Sequence, residues 1–258
     1  MPQSAGLNYH FYPQPNSFLS PVILIHGAGS NALGWPPTFR RSLERRVIAL
    51  DLPGHGLSDG AGRTSLDGYA RSVSRFIDKF PLHRAVLIGH SMGAGVALHT
   101  AALNPGSISA LILLSAGFPF KLPAELLDPL DGFNGLQLAL KYFETAAFSE
   151  GAPLALRHSI TRPLLKVPIA LLKNDLLACA GLGQHIDWKN ITCPCLIVSG
   201  SDDTLVPPRT ARMLTNMLPD ARYKMVNQAG HMLLFEQPET SLKVVRDFLK
   251  WLDDMKAL

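Results

Sequence analysis

The stretch Gly89-His90-Ser91-Met92-Gly93 decides the fold that this chain is expected to adopt. Residues 84–88 before it are largely apolar and β-branched, which predicts a buried strand. Residues 94–103 after it predict a helix that ends at Asn104-Pro105-Gly106. A serine between a strand and a helix, with a glycine two positions away on each side, is typical of a tight turn that exposes the hydroxyl group. The N-terminal end of the helix would favour negative charge that develops beside Ser91.

Strands and helices are predicted to alternate on both sides of this turn. Apolar runs predict an edge strand at 7–12 and buried strands at 21–25, 47–50, 109–115, 195–199 and 222–226. Helical patterns cover 34–44, 65–80, 208–217 and 239–252. This alternation predicts an α/β fold in which a mostly parallel sheet is flanked by helices.

The alternation breaks between residues 118 and 187. This segment is rich in leucine and contains no convincing strand, and it predicts short helices over 135–148 and 163–180. We therefore expect residues 118–187 to form a helical cap, or lid, that is inserted into a core domain. That core domain is expected to comprise residues 1–117 and 188–258.

Two further polar segments follow predicted strands. A serine hydroxyl is a poor nucleophile at neutral pH and needs a base, which in turn needs a carboxylate to orient it. The strand that ends at Ser199 is followed by Asp202 and Asp203, and the strand that ends at Val226 is followed by His231. Because the carboxyl ends of parallel strands share one edge of the sheet, we expect these groups to meet Ser91 there.

Five sequence blocks occur in an order that resembles a known family. They are His26-Gly27-Ala28-Gly29, the block 51–58, the turn at Ser91, the block 200–207, and Gly230-His231. Together they resemble the α/β-hydrolase fold family, and within it the lid-bearing group that includes many bacterial esterases and carbon–carbon bond hydrolases. The resemblance spans essentially the whole chain.

The resemblance implies a role for each member of a catalytic triad. Ser91 would be the nucleophile, and His231 would be first the general base and then the general acid. Asp203 would orient the histidine, because the family pattern places the acid three residues after the strand-end glycine and before a Val-Pro pair, here Val206-Pro207. Asp202 is the alternative acid.

The resemblance also implies an oxyanion hole and a substrate pocket. The main-chain N–H groups of Ala28 and Met92 would hold the developing oxyanion. Trp35, Phe133 and Tyr142 are candidates to line an apolar pocket for the substrate.

These observations predict a serine hydrolase that cleaves small to medium, largely apolar carboxylic esters through an acyl-enzyme. A carbon–carbon bond hydrolase of a diketone-like acid is the first alternative, and an arginine of the cap near the serine, Arg157 or Arg162, would favour it. A third hypothesis is a ligand receptor that has the hydrolase fold but slow or no turnover, because proteins of one fold can have different functions.

Composition bounds the possible partners. The 258 residues carry a net charge of only +4, without a dense Lys/Arg cluster, which argues against a nucleic-acid partner. Residues 85–120 contain no Lys, Arg, Asp or Glu, but glycines and Asn104-Pro105-Gly106 interrupt this stretch, so we expect a buried core rather than stable membrane insertion. A small-molecule ester is the expected partner, and a homo-oligomer is left open.

The three cysteines indicate the kind of cellular compartment in which the protein is found. Cys179, Cys193 and Cys195 cannot all pair within one chain, and residues 1–16 show no secretory signal, so free thiols in a cytoplasmic location are expected. The scattered histidines predict no metal site, and the expected chemistry needs no cofactor.

Overall fold

In the computed structural model, which describes residues 2–14, 18–80, 84–184 and 186–256, eight strands form one sheet. The strands are β1 (Gln3–Ser4), β2 (Leu7–Tyr12), β3 (Val22–Ile25), β4 (Val47–Leu50), β5 (Ala85–His90), β6 (Ile108–Leu114), β7 (Cys195–Gly200) and β8 (Ala221–Val226). Their order across the sheet is β1-β2-β4-β3-β5-β6-β7-β8. The pairs β1–β2 and β2–β4 are antiparallel and the other neighbours are parallel, which confirms the predicted mostly parallel sheet.

Helices cover both faces of the sheet. The α-helices in the described residues are α1 (Pro37–Arg41), α2 (Leu66–Lys79), α3 (Met92–Leu103), α4 (Ala124–Leu127), α5 (Gly135–Ala146), α6 (Leu154–Leu164), α7 (Ile169–Ala180), α8 (Pro208–Met217), α9 (Leu233–Glu236) and α10 (Pro238–Lys256). Side chains of α2, α3 and α8 pack on one face of the sheet, and side chains of α1 and α10 pack on the other.

The central strands are apolar throughout because both of their faces are covered. In β3, Ile23 and Ile25 belong to the core on the α2 and α3 side, while Val22 and Leu24 belong to the core on the α1 and α10 side. All four side chains are fully buried. The period of two that sends successive side chains to opposite faces therefore fills two hydrophobic layers from one short segment.

The prediction of one helix over 34–44 is wrong. The structure has a short 3₁₀ turn at Ala32–Gly34 and then the five-residue helix α1, which begins at Pro37. Two adjacent prolines separate these elements, because a proline supplies no N–H donor and disfavours helical geometry in the residue before it.

The prediction of one helix over 163–180 is also wrong. Pro163 lies in the last turn of α6, and α7 begins only at Ile169, directly after Pro168. A proline is tolerated at the start of a helix but not in its interior, which explains the break between α6 and α7. The predicted helix over 135–148 is confirmed as α5 within two residues.

Helices α4 to α7 all lie between β6 and β7, in the segment 118–187 that we call the cap segment. Their buried apolar side chains form a third cluster, which also includes Leu205, Val206 and Met232 from the loops that follow β7 and β8. The cap segment therefore packs over the edge of the sheet where these loops emerge. The division into a core of 1–117 and 188–258 and a cap of 118–187 stays a prediction, and residues 1, 15–17, 81–83, 185, 257 and 258 lie outside the described part of the chain.

The turn between β5 and α3 is held by close backbone packing. A Cβ atom added to Gly93 would lie 2.0 Å from the carbonyl oxygen of Ile25 and 2.6 Å from that of His26. A Cβ atom added to Gly89 would lie 2.2 Å from the carbonyl oxygen of Gly93. Both glycines are therefore required by the approach of α3 to β3 and β5.

We predict that Gly93→Ala lowers the free energy of unfolding by about 3 kcal/mol or more, because main-chain atoms of β3 would have to move. Urea titration followed by circular dichroism measures this change. Gly106→Ala is the matched control: no atom lies within 4 Å of its added Cβ, and we expect a change within about 0.5 kcal/mol. A Gly93→Ala protein as stable as the wild type would contradict this account of the turn.

Candidate active site

Ser91 occupies a sharp turn between β5 and α3. Its backbone has φ 54° and ψ −120°, a conformation that non-glycine residues rarely adopt. Strain of this kind persists only where the surrounding structure enforces it, and it is often found at functional sites. The turn places Ser91 directly before the first residue of α3, at the positive end of the helix dipole.

Three side chains from three loops form a continuous hydrogen-bonded chain. The Nε2 atom of His231 lies 2.8 Å from the Oγ atom of Ser91. The Nδ1 atom of the same ring lies 2.8 Å from the Oδ2 atom of Asp203. If Nδ1–H donates to the carboxylate, Nε2 is free to accept the serine proton, which is the arrangement that general-base activation of a serine requires.

The structure distinguishes Asp203 from Asp202. Asp203 is buried, and its second carboxylate oxygen accepts the main-chain N–H of Val206 at 2.8 Å. Asp202 is exposed and accepts the hydroxyl of Ser201. Of these two aspartates, only Asp203 contacts His231. It is the aspartate that the spacing from the end of β7 favoured.

The main chain of His231 is held by two side chains. Its carbonyl oxygen accepts the Ser115 hydroxyl at 2.7 Å and the Nε2–H group of His90 at 3.0 Å. Burial, and then the neighbouring His231, lower the pKa of His90 to about 4. His90 is therefore neutral at physiological pH, and it adds no positive charge beside His231.

Sequence reasoning did not find this role for Ser115. The residue directly follows β6 and has a positive φ of 52°, which is unusual for a serine, and its side chain is fully buried. A buried serine at a strand end next to the Ser91 turn is the signal that could have identified it.

A partly buried acid also supports the histidine loop. The Glu236 carboxylate accepts the N–H of Gly230 at 2.9 Å and the N–H of Ser149 at 2.8 Å. Gly230 precedes His231, and Ser149 belongs to the cap segment. Glu236 thus ties the histidine loop to the cap segment, which the sequence pattern did not reveal.

The predicted oxyanion donors lie beside Ser91. Within the described residues, the N–H groups of Ala28 and Met92 donate to no acceptor, so both are available to a ligand. Gly27 packs against the turn, since a Cβ atom added there would lie 3.4 Å from the Cβ of Ser91. This contact places the loop after β3 against the nucleophile.

His26 stabilises this loop rather than reacting. Its Nδ1–H donates to the Gly27 carbonyl at 2.8 Å, and its Nε2 accepts the N–H of Leu52 at 3.1 Å. These two bonds require the neutral ring. Burial, with a smaller contribution from His55, lowers the pKa of His26 to about 3, in agreement with that requirement.

A cavity of about 820 Å³ opens onto Ser91 and His231 between the sheet edge and the cap segment. This volume is typical of a site for a small molecule. Apolar side chains of the cap dominate its wall, among them Phe120, Leu122, Leu126, Leu140, Phe143 and Leu172. The arrangement would bury an apolar group next to the serine hydroxyl.

One of the three predicted pocket residues lines this cavity. Trp35 does so, stacked on Phe39 and edge-on to His90. The prediction is wrong for Phe133, which is 94% exposed, and for Tyr142, which packs against the cap cluster and does not line the cavity. Phe133 precedes α5, and Tyr142 lies in the second half of that helix.

Lys166 is the only Lys, Arg, Asp or Glu among the described residues that line the cavity. Arg157 points elsewhere, because its guanidinium donates to the carbonyls of Glu144, Ser149, Glu150 and Ala152. Arg162 lines a shallow outer groove and not the cavity. Neither cap arginine that would have favoured a substrate carboxylate therefore lies at the serine.

Two further features concern other classes of site. Within the ranges that the structure describes, no group of three or more His, Cys, Asp or Glu residues is arranged to hold a metal ion. In the same ranges, no helix combines the length and the apolar character needed to cross a bilayer.

Known proteins are similar to this chain in sequence and in fold. The chain is 32% identical over 246 residues to the dihydrolipoyllysine-residue acetyltransferase component of the acetoin cleaving system of Pseudomonas putida; the match covers 90% of this chain and 64% of that protein. It is 27% identical to 2-hydroxymuconate semialdehyde hydrolase of Pseudomonas putida, with 98% of this chain and 95% of that protein covered. A solved structure of a thermophilic esterase superposes with a TM-score of 0.80 at 25% identity and covers 95% of this chain and 98% of its own.

The sequence model of the alpha/beta hydrolase family matches residues 22–242, which include the Ser91 turn, Asp203 and His231. This match spans most of the chain, and the sheet order agrees with it. The chain belongs to the alpha/beta hydrolase family.

Proposed function

We propose that this chain is a serine hydrolase that cleaves small to medium, largely apolar carboxylic esters through an acyl-enzyme. The observation that carries the proposal is the hydrogen-bonded chain from Ser91 through His231 to Asp203, which faces an apolar cavity. The similarity to a thermophilic esterase supports the same reaction class.

In the acylation step, the Ser91 Oγ atom attacks the ester carbonyl carbon while the Nε2 atom of His231 takes the hydroxyl proton. Asp203 accepts the Nδ1–H group and stabilises the imidazolium that forms. The oxyanion receives hydrogen bonds from the N–H groups of Ala28 and Met92. The imidazolium then returns its proton to the alcohol oxygen as the carbon–oxygen bond breaks, and the alcohol leaves.

In the deacylation step, water attacks the acyl carbon and gives its proton to His231, which passes it to the Ser91 oxygen as the carboxylic acid leaves. Each oxyanion-hole donor typically contributes about 10²–10³ in rate, so Ala28 and Met92 are as important to the proposal as the triad.

The substrate class follows from the lining of the cavity. Leucine and phenylalanine side chains favour an apolar acyl or alcohol group, since burying an apolar surface is favourable by about 25 cal/mol per Å². Among the described residues that line the cavity, Lys166 is the one lysine or arginine available to a substrate carboxylate, and an unpaired charge in such a cavity is costly.

Carbon–carbon bond hydrolysis of a diketone-like acid remains the second candidate. The similarity to 2-hydroxymuconate semialdehyde hydrolase favours it, and the same triad would serve it. The positions of Arg157 and Arg162 outside the cavity weigh against it. A receptor role without turnover is the third candidate, and the complete triad counts against it.

We also propose a cytoplasmic location. Cys179, Cys193 and Cys195 are free thiols, and each is buried or half-buried, as expected for a protein of a reducing compartment.

The first prediction concerns the acid of the triad. Asp203→Asn should lower kcat for p-nitrophenyl valerate by about 10²–10⁴, because the amide cannot hold the histidine in the tautomer that accepts the serine proton. Ser91→Ala removes the nucleophile and should lower kcat for the same ester by about 10⁴ or more, which gives the residual rate for comparison. Stopped-flow measurement of p-nitrophenol release gives both values.

Asp202→Asn is the matched control, because Asp202 is exposed and does not touch His231. We expect its kcat to stay within about twofold of the wild type, as is usual for an exposed position away from the site. Equal losses in the Asp202 and Asp203 variants, or full turnover in Ser91→Ala, would refute the assigned mechanism.

The second prediction separates esters of apolar acids from esters of diacids. The wild type should hydrolyse p-nitrophenyl valerate with a kcat/KM at least about tenfold above that for mono-p-nitrophenyl glutarate, which has the same acyl length and a terminal carboxylate. Lys166→Met should widen this ratio. A preference for the glutarate that Lys166→Met abolishes would instead favour the carbon–carbon hydrolase candidate and its acidic substrates.

A further inference from the structure

A fully buried carboxylate connects the cap segment to the loop that carries the oxyanion donor. Asp175 lies on α7 and has no exposed surface. Its Oδ2 atom accepts the N–H group of Gly29 at 2.8 Å, across 146 positions of sequence. Gly29 directly follows Ala28, whose own N–H group is one of the two proposed oxyanion donors.

The carboxylate has two further partners from the core. His55 places its Nε2 atom 2.8 Å from Oδ2, and the Tyr69 hydroxyl donates to Oδ1. His55 follows β4 and Tyr69 belongs to α2, so three core segments converge on one residue of the cap segment. A buried carboxylate with three donors is a well-satisfied group, and removing it would leave three donors unpaired.

Both ring nitrogens of His55 have a polar partner. Its Nδ1 atom lies 3.1 Å from the Pro53 carbonyl oxygen, and its Nε2 atom lies 2.8 Å from the Asp175 carboxylate. The Tyr69 hydroxyl has a raised pKa, caused first by burial and then by Asp175, and stays a donor.

The geometry around Gly29 shows what the carboxylate does for the loop. Gly29 has φ 65°, and a Cβ atom added there would lie 3.0 Å from Leu164 and 3.3 Å from Leu172, both in the cap segment. On its other side the loop touches the Ser91 turn through Gly27. The loop is therefore held between the nucleophile and the cap, and the Gly29 hydrogen bond fixes the orientation of the peptide that follows Ala28.

We propose that Asp175 is a positioning residue for the oxyanion hole, and that α7 must be docked through it for the Ala28 N–H group to point at the reacting carbonyl. Two observations carry this inference: the 2.8 Å bond to the Gly29 amide and the convergence of His55 and Tyr69 on the same carboxylate. The inference rests on the proposed ester hydrolysis, because it concerns the same site.

The test is Asp175→Asn, in which the amide offers one acceptor oxygen instead of a carboxylate. We expect kcat per titrated active site for p-nitrophenyl valerate to fall by about 10² or more, as for the loss of one oxyanion donor, with KM within about threefold. The size of the p-nitrophenol burst counts the active sites, so partial unfolding is separated from a loss of rate. A purely structural role for Asp175 would reduce the burst and leave kcat per site unchanged.

The inhibition constants of two ketones measure directly how well the oxyanion hole stabilises an oxyanion. The Ser91 oxygen adds to the carbonyl carbon of an alkyl trifluoromethyl ketone while its proton passes to the Nε2 atom of His231, and the carbonyl π electrons move to the oxygen, which becomes a tetrahedral oxyanion. The methyl ketone of equal chain length measures binding without this addition. In Asp175→Asn we expect the inhibition constant of the trifluoromethyl ketone to rise by the same factor by which kcat/KM falls, and that of the methyl ketone to change by less than about threefold.

Two variants complete the design. Thr161→Val removes another buried hydroxyl of the cap segment that bonds only within α6, to the Arg157 carbonyl, and should leave kcat per site within about twofold of the wild type. Asp175→Ala combined with His55→Gln removes the carboxylate together with the imidazole that faces it, and this variant is used if the single variant does not fold. We expect this double variant to show the same loss of kcat per site.

Wild-type kcat per site in Asp175→Asn or in the double variant, or equal weakening of both ketones, would overturn the role assigned to Asp175. A wild-type protein that neither hydrolyses the ester nor binds the trifluoromethyl ketone would instead overturn the proposed function.

Discussion

The structure depends on the close packing of the Gly93 main chain against the carbonyl oxygens that end β3. The absence of a side chain at Gly93 lets α3 approach the sheet, and this approach holds Ser91 in a strained backbone conformation. The strain exposes the hydroxyl at the edge where β7 and β8 also end. Asp203, His231 and the loop after β3 are arranged around Ser91, whose backbone conformation is fixed by this packing.

Buried and partly buried hydrogen bonds then hold the loops that follow the strands. Ser115 and His90 hold the carbonyl of His231, and Glu236 holds the peptide before it. Asp175 holds the loop after β3. The hydrogen bonds of Glu236 and Asp175 each join the cap segment, which forms much of the cavity wall, to a loop of the core that carries polar groups of the site.

Much of this arrangement could be predicted from the sequence, because it rests on local patterns. The strand-turn-helix pattern around Ser91, the spacing from Gly200 to Asp203 and the strand before His231 each predict a position at the edge of the sheet. The cap segment was less predictable. Pro163 and Pro168 divide a helix that the apolar pattern had joined, and Phe133 lies on the surface although its residue type suggests a pocket wall. Contacts such as that between Asp175 and Gly29 join positions far apart in sequence, which a single sequence does not reveal.

The central claim is that Ser91 forms a covalent bond to the acyl group of its substrate. Peptide mapping by mass spectrometry, after an acid quench during the first turnover of p-nitrophenyl valerate, tests it most directly. The account predicts that the valeryl group is found on the peptide that contains Ser91, and that fragmentation places it on that residue. A protein that turns over the ester while the acyl group is found on another residue, or on none, would contradict the account.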